Sequence, residues 1–217
     1  MFEELYSDPA RLEQFMHAME GASPGNFQAL AEKFDFSTYR TLCDVGGATG
    51  QLSAILATRY PHLRCTSFDL PVVAPIAERT IAAAGLAERV VTASGDFFVD
   101  PFPRAEVITM SLILHDWDLA RKMHLIRSAY QALPEGGAFI AIEFLIDDAR
   151  RENAFGLMMS LNMLIQTGGG VRLHRRGLRR LVPPGWIPGG EDSPAGWSGE
   201  CGHRLHVAIR VPSRDPE

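Results

Sequence analysis

Cysteine is scarce in this chain: three residues among 217, an odd number at no metal-ligand spacing. That usage excludes a disulfide framework and fits a reducing compartment. Cys43 and Cys65 fall in apolar segments and read as buried small side chains. Cys201, His203 and His206 offer three potential ligands in a polar tail, a poor pattern for zinc, and no metal is assigned. Long apolar runs are missing too. None approaches the ~20 residues of a membrane helix, and the acidic opening Met1-Phe2-Glu3-Glu4-Leu5 is unlike a signal peptide. A basic excess is absent, the net charge being -5, which argues against a nucleic-acid or membrane-surface partner. A cytoplasmic protein is expected, and 46% hydrophobic residues can bury one substantial core.

What is present is regular alternation. Asp8 and Pro9 open a helical segment with Leu12, Phe15, Met16 and Met19 at helical spacing, and a second helix starts near Ser23-Pro24 and carries Phe27, Leu30, Ala31 and Phe34. From Arg40 onward, strands are expected at Thr41–Val45, Arg64–Phe68, Arg89–Thr92, Glu106–Leu112 and Ala138–Ile142. Helices are expected at about Gln51–Tyr60, Val72–Ala84, Asp118–Leu133 and Arg150–Gln166. Repeated βα units imply an α/β fold, a doubly wound, mostly parallel sheet.

The first strand ends in Asp44-Val45-Gly46-Gly47-Ala48-Thr49-Gly50. A glycine turn between a strand and a helix lets a ligand approach bare backbone N–H groups at the positive end of the helix. The dinucleotide fingerprint G-x-G-x-x-G requires a second glycine where Ala48 stands, so a pyrophosphate ligand is disfavoured. Asp44 repels phosphate and attracts an ammonium. S-adenosyl-L-methionine carries an ammonium and a sulfonium but no phosphate.

Ligands of such sheets bind at the carboxyl ends of the strands. Each expected strand is followed there by polar residues: Asp44 and the glycines, then Asp69, then Gly95-Asp96-Phe97, then His115-Asp116-Trp117, then Glu143. Any one of them could be a helix cap or a solvated loop residue; five in succession are harder to dismiss. Asp69 stands about 20 residues after the glycine turn, where a carboxylate takes both ribose hydroxyls. Asp96 and Phe97 can bracket an adenine, the ring stacking on its face, while Phe98 reads as core. His115, read as ending the apolar strand Ile113-Leu114, has Asp116 and Glu143 to orient its ring and leave one nitrogen as a base. The chemistry implied is methyl transfer to a phenol-like oxygen.

These residues resemble the S-adenosylmethionine-dependent O-methyltransferases of the caffeic acid and hydroxyindole O-methyltransferase type, which include bacterial polyketide-tailoring enzymes. The matching text is DVGGATG at 44–50, FDLP at 68–71, GDFF at 95–98, ILHDW at 113–117, LPEGGAFIAIE at 133–143 and SLNMLIQT at 160–167. The resemblance implies a Rossmann-like fold, S-adenosyl-L-methionine as cofactor and a small hydroxylated aromatic substrate. It implies His115 as general base assisted by Asp116 and Glu143. Asp44, Gly46, Gly47, Gly50, Asp69, Leu70, Asp96, Phe97 and Ser111 would bind the cofactor, and Met158, Met159 and Asn162 would face the acceptor.

Two departures from the resemblance set the expected organisation. Family members usually carry an N-terminal dimerisation domain ahead of the position of Phe2 and are usually homodimers; on the resemblance, a protein lacking that domain is expected here. After Thr167 the text turns into an Arg-, Gly- and Pro-rich tail without hydrophobic periodicity. Permitted codons for Gly170 to Pro188, read one base later, give GFDFTGADFDGWCRQAGF, text like that of bacterial relatives, so the tail is expected to be a frameshift product with a strand near His203–Val211. The expected domains are a helical segment at 1–39, a cofactor-binding catalytic domain at 40–167 and the tail at 168–217. The alternative function is that of a catalytically impaired methyltransferase-like protein that binds cofactor or a partner without turnover.

Overall fold

The computed structural model describes residues 6–21, 24–143, 151, 154–167, 170, 181 and 205–210. Arg150, Cys201, His203 and most of the tail beyond Thr167 lie outside the described residues. The chain divides into two compact units, Met1–Val107 and Ile108–Glu217.

The first unit opens with helices α1 (Pro9–Gly21) and α2 (Pro24–Lys33). Asp8 Oδ1 accepts from the N–H groups of Ala10 and Arg11, and Pro9 occupies the first helical position, where a missing N–H costs nothing. Next come β1 (Thr41–Val45), α3 (Gln51–Arg59), β2 (Arg64–Asp69), α4 (Ala74–Ala83) and β3 (Val90–Ser94). β2 pairs in parallel with both β1 and β3, giving the order β3-β2-β1. Parallel strands joined by helices are buried on both faces, and β1 accordingly buries Leu42, Cys43, Asp44 and Val45. Burial pushes the Cys43 and Cys65 thiols up, helped by the Asp44 charge, Cys65 to about 12. Both are therefore protonated packing residues, as their positions in sequence suggest.

The apolar stripe of α1 packs in this unit too. Leu12 and Met16 form a cluster with Val73 and Ile76, against which Phe15, Ala48 and Leu70 also lie. The first helix thereby braces the glycine turn.

The second unit contains β4 (Val107–Ser111), a single 3-10 turn at Leu114–Asp116, α5 (Leu119–Ala132), β5 (Ala138–Glu143), α6 (Ala154–Thr167) and β6 (Leu205–Arg210). Its strands run in the order β4-β5-β6, with β6 antiparallel to β5. A strand expected near 203–211 is thus found, and β5 has a partner on that side. Every residue of β5 is buried, and Leu125, Ile126 and Ala129 of α5 are buried as well. Asp118 caps α5 by accepting from Arg121 N–H.

Two expectations are corrected. His115 does not end a strand. β4 stops at Ser111, Leu112 takes the left-handed region at φ 58°, and His115 sits in the 3-10 turn that follows. The short apolar run Ile113-Leu114 imitates strand continuation, which periodicity cannot distinguish from a buried turn. Phe98 is half-buried and set edge-to-face on Phe97 at 4.8 Å, not sealed in the core. Among the described residues, no helix is long and apolar enough to cross a membrane.

Candidate active site

In the first unit, the glycine turn lies against the end of β2. Gly46 and Gly50 have φ of 71° and 76°, conformations that L side chains rarely adopt. Gly47 is needed for a different reason: a Cβ there would overlap Ser67 Oγ and stand 3.1 Å from the Asp44 carbonyl. Gly47→Ala is expected to cost about 1–3 kcal/mol of stability through overpacking, read from the urea midpoint. Ser67→Ala should restore most of the loss, because Ser67 Oγ is buried without a hydrogen-bond partner and its removal opens the space.

The turn's N–H groups are not bare, contrary to the reading from sequence. Those of Gly46 and Gly47 donate to the Phe68 carbonyl at 2.8 and 3.3 Å, that of Ala48 to Asp69 Oδ2 at 2.9 Å, and that of Gly50 to the Gly47 carbonyl at 2.8 Å. The glycines allow close packing: a Cβ on Gly47 would meet Ser67, and one on Gly50 would meet Ile81. Two carboxylates lie close to this turn. Asp44 is buried at 2% exposure on β1. Asp69 ends β2, with Oδ2 taken by Ala48 N–H and Oδ1 by Leu70 N–H at 2.7 Å. Each oxygen keeps a second acceptor site. Desolvation pushes the Asp69 carboxyl up from its ordinary value, and the two backbone hydrogen bonds pull it partly back.

Beyond β3, Gly95 allows the chain to pass the Phe68 ring, which a Cβ would meet at 2.7 Å. Asp96 Oδ1 accepts from Phe98 N–H and so closes the turn that carries the half-buried Phe97.

In the second unit, Leu112 N–H bonds the Ile142 carbonyl at 2.9 Å and ties the end of β4 to β5. Ser111 is half-buried at that end. Glu143, 3% exposed, closes β5 and holds two groups of the facing turn: Oε1 accepts from Leu114 N–H at 2.8 Å, and Oε2 lies 2.8 Å from His115 Nδ1. Asp116 Oδ1 is 3.4 Å from His115 Nε2. His115 itself is only 8% exposed. A carboxylate accepts only, so Glu143 favours a proton on Nδ1, while Asp116 stands beside Nε2. Gly170, beyond α6, also meets this turn. A Cβ on Gly170 would come within 2.7 and 2.8 Å of the His115 and Asp116 carbonyls.

In α6, Met158 is 61% exposed and Asn162 half-buried; Met159 belongs to the same helix. Lys122 was missed by sequence reasoning. It is 1% exposed and donates from Nζ to the Trp117 carbonyl at 2.6 Å. The signal was available: Lys122 shares the helical face of Leu125, Ile126 and Ala129, where a lysine is out of place.

The strand order, crossover helices and strand-end carboxylates define an α/β protein of the Rossmann-like class. An O-methyltransferase domain model matches residues 1–182, and the chain belongs to that family. It is 40% identical over 165 residues to a tetracenomycin polyketide synthesis 8-O-methyl transferase of Streptomyces glaucescens, covering 76% of this chain and 49% of that protein. It is 36% identical over 188 residues to the acetylserotonin O-methyltransferase of Bos taurus, covering 85% of this chain and 54% of that protein. The chain thus spans about half the length of the curated relatives it matches. The crystal structure of human N-acetylserotonin methyltransferase in complex with SAM aligns with a TM-score of 0.83 at 28% identity, over 98% of this chain and 59% of that one. An O-methyltransferase from neocarzinostatin biosynthesis, in complex with S-adenosyl-L-homocysteine and 1,4-dihydroxy-2-naphthoic acid, aligns with a TM-score of 0.81 at 29% identity, over 97% and 61%.

Proposed function

We propose that this chain binds S-adenosyl-L-methionine and methylates a hydroxyl of a small aromatic compound, with His115 as general base. The observation that carries the reading is the 2.8 Å contact between His115 Nδ1 and buried Glu143, which orients the ring; Nε2 is the nitrogen proposed to accept the proton. When bound, S-adenosyl-L-methionine supplies an electrophilic methyl carbon on a sulfonium and departs as neutral S-adenosylhomocysteine. His115 Nε2 takes the phenolic proton as the oxygen forms its bond to carbon, and Glu143 stabilises the imidazolium that results. Asp116, at 3.4 Å from Nε2, favours the same charge. The aromatic acceptor is supported by relatives named as polyketide and naphthoate methyltransferases.

The donor side fits residues of the first unit. Asp69 has one free acceptor site on each oxygen for the two ribose hydroxyls, held in place by Ala48 and Leu70 N–H. Asp44 suits the ammonium, Phe97 the adenine face, and Gly46, Gly47, Gly50, Leu70 and Asp96 are the other first-unit members of the proposed donor set, to which Ser111 of the second unit is added. Met158, Met159 and Asn162 are proposed to face the acceptor.

The direct test is calorimetry of the purified chain with S-adenosylhomocysteine and with NAD, followed by a methylation assay on hydroxynaphthoates. Binding of the first ligand and transfer to the hydroxyl are expected. Tight binding of NAD alone overturns the proposal, and cofactor binding without transfer favours an impaired protein. The affinity should also depend on pH. Ribose hydroxyls and backbone N–H groups both require ionised Asp69, whose carboxyl is pushed up. Protonation as pH falls removes the acceptor, so S-adenosylhomocysteine affinity is expected to weaken at a pH above the ordinary aspartate range. Asp69→Asn should remove that dependence and bind weakly throughout.

A further inference from the structure

We propose that Lys122 is a positioning residue for His115: its ammonium charge offsets the carboxylates that flank the imidazole, and its hydrogen bond pins the turn that carries it. The inference rests on the reading of His115 as the base.

A lysine is almost never fully buried unless it is paired. Lys122 is 1% exposed in the first turns of α5, with Nζ bonded to the Trp117 carbonyl at 2.6 Å. Trp117 N–H in turn donates to the Leu114 carbonyl, so the lysine grips the residue that closes the 3-10 turn. Its electrostatic neighbours are Glu143, Asp118 and Asp116; burial pushes the ammonium down from the ordinary lysine value, and these carboxylates raise it again.

Glu143 and Asp116 are also the residues facing the two ring nitrogens of His115, at 2.8 and 3.4 Å. That arrangement has a cost. A carboxylate at each end of an imidazole favours the imidazolium, and an imidazolium cannot accept a proton. A cation in the same buried cluster opposes the effect and keeps the ring able to cycle. Among the described residues of the second unit, the charged groups around His115 and Lys122 are Asp116 on the histidine's own turn, Glu143 on β5, and Asp118 and Lys122 on α5. Helix α6, which packs on the same turn, carries no ionisable side chain between Ala154 and Thr167. Lys122 is thus the positive member of that set among the described residues.

The test is an NMR titration of the histidine rings in the full 217-residue chain, unmutated and as Lys122→Met, Lys122→Gln and Lys122→Arg. The His115 signal is assigned by its loss in His115→Gln. The Met and Gln variants are expected to raise the His115 midpoint by about one pH unit, a tenfold gain in proton affinity, while Arg leaves it nearly unchanged and His62 does not move in any variant. Gln still offers a donor to the Trp117 carbonyl, so it separates charge from hydrogen bond and stands in if Met does not fold. In kinetics, the acid limb of the kcat profile should move up by the same amount, with little change in acceptor KM. An unmoved midpoint in both Met and Gln overturns the proposal, and so does an equal shift in all three variants, which would indicate packing alone. If the unmutated chain transfers no methyl while the midpoint shifts as expected, the electrostatic role stands and the assignment of His115 as base falls.

Discussion

His115→Gln is expected to lower kcat about a thousandfold, within the range that a positioned general base contributes, while S-adenosylhomocysteine affinity stays within about twofold by calorimetry. The separation follows from the division of labour. The carboxylates proposed to hold the donor, Asp44 and Asp69, belong to β1 and β2, whereas His115 belongs to the turn after β4. Glutamine keeps a polar group near Glu143, so that carboxylate is not left buried and alone, and the thermal midpoint should move little. A variant that retained most of its turnover would exclude His115 as the base, whatever its geometry.

Glu143→Gln should be nearly as severe. The ionised carboxylate accepts from both Leu114 N–H and His115 Nδ1–H. An amide has one acceptor oxygen for these two donors and presents its own N–H to the other. If the amide oxygen stays with Leu114, the NH₂ faces Nδ1 and forces the ring into the Nε2–H tautomer, which has no lone pair left for the substrate proton. A loss of about a thousandfold to ten-thousandfold in kcat is expected, the size seen when the orienting carboxylate of a histidine is replaced by its amide. The variant should bind S-adenosylhomocysteine normally. Its activity should not return at high pH, because the defect lies in tautomer and not in ionisation. Recovery of full activity at alkaline pH would instead point to a purely electrostatic role for Glu143.

Both variants act on a buried pair 28 residues apart in sequence, and here the reach of the linear reading shows its limit. Alternation of short apolar strands with amphipathic helices was enough for the α/β class, since each element's period is local. The placement of the glycine turn, Asp69, Asp96 and Glu143 at or just beyond strand ends was legible, because strand bounds are set locally. Asp8 and Pro9 announced α1, as capping is settled within a few residues. The same local logic misassigned His115 to a strand, because a left-handed Leu112 leaves no trace in an apolar run. It also misread the glycine turn, whose N–H groups go to Phe68 and Asp69, residues of another strand.

By itself, then, the order of residues determined the elements, the fold class and the chemical types collected at the strand ends. Tertiary structure decided which atom each of those groups engages: Glu143 on Nδ1 and not Nε2, Asp69 on Ala48 and Leu70, and a lysine drawn inside to face carboxylates. The physical reason is range. Helix and strand preferences are set by neighbours a few residues away, whereas a hydrogen bond, a tautomer or the burial of a charge is set by partners that only the packed sheet brings together.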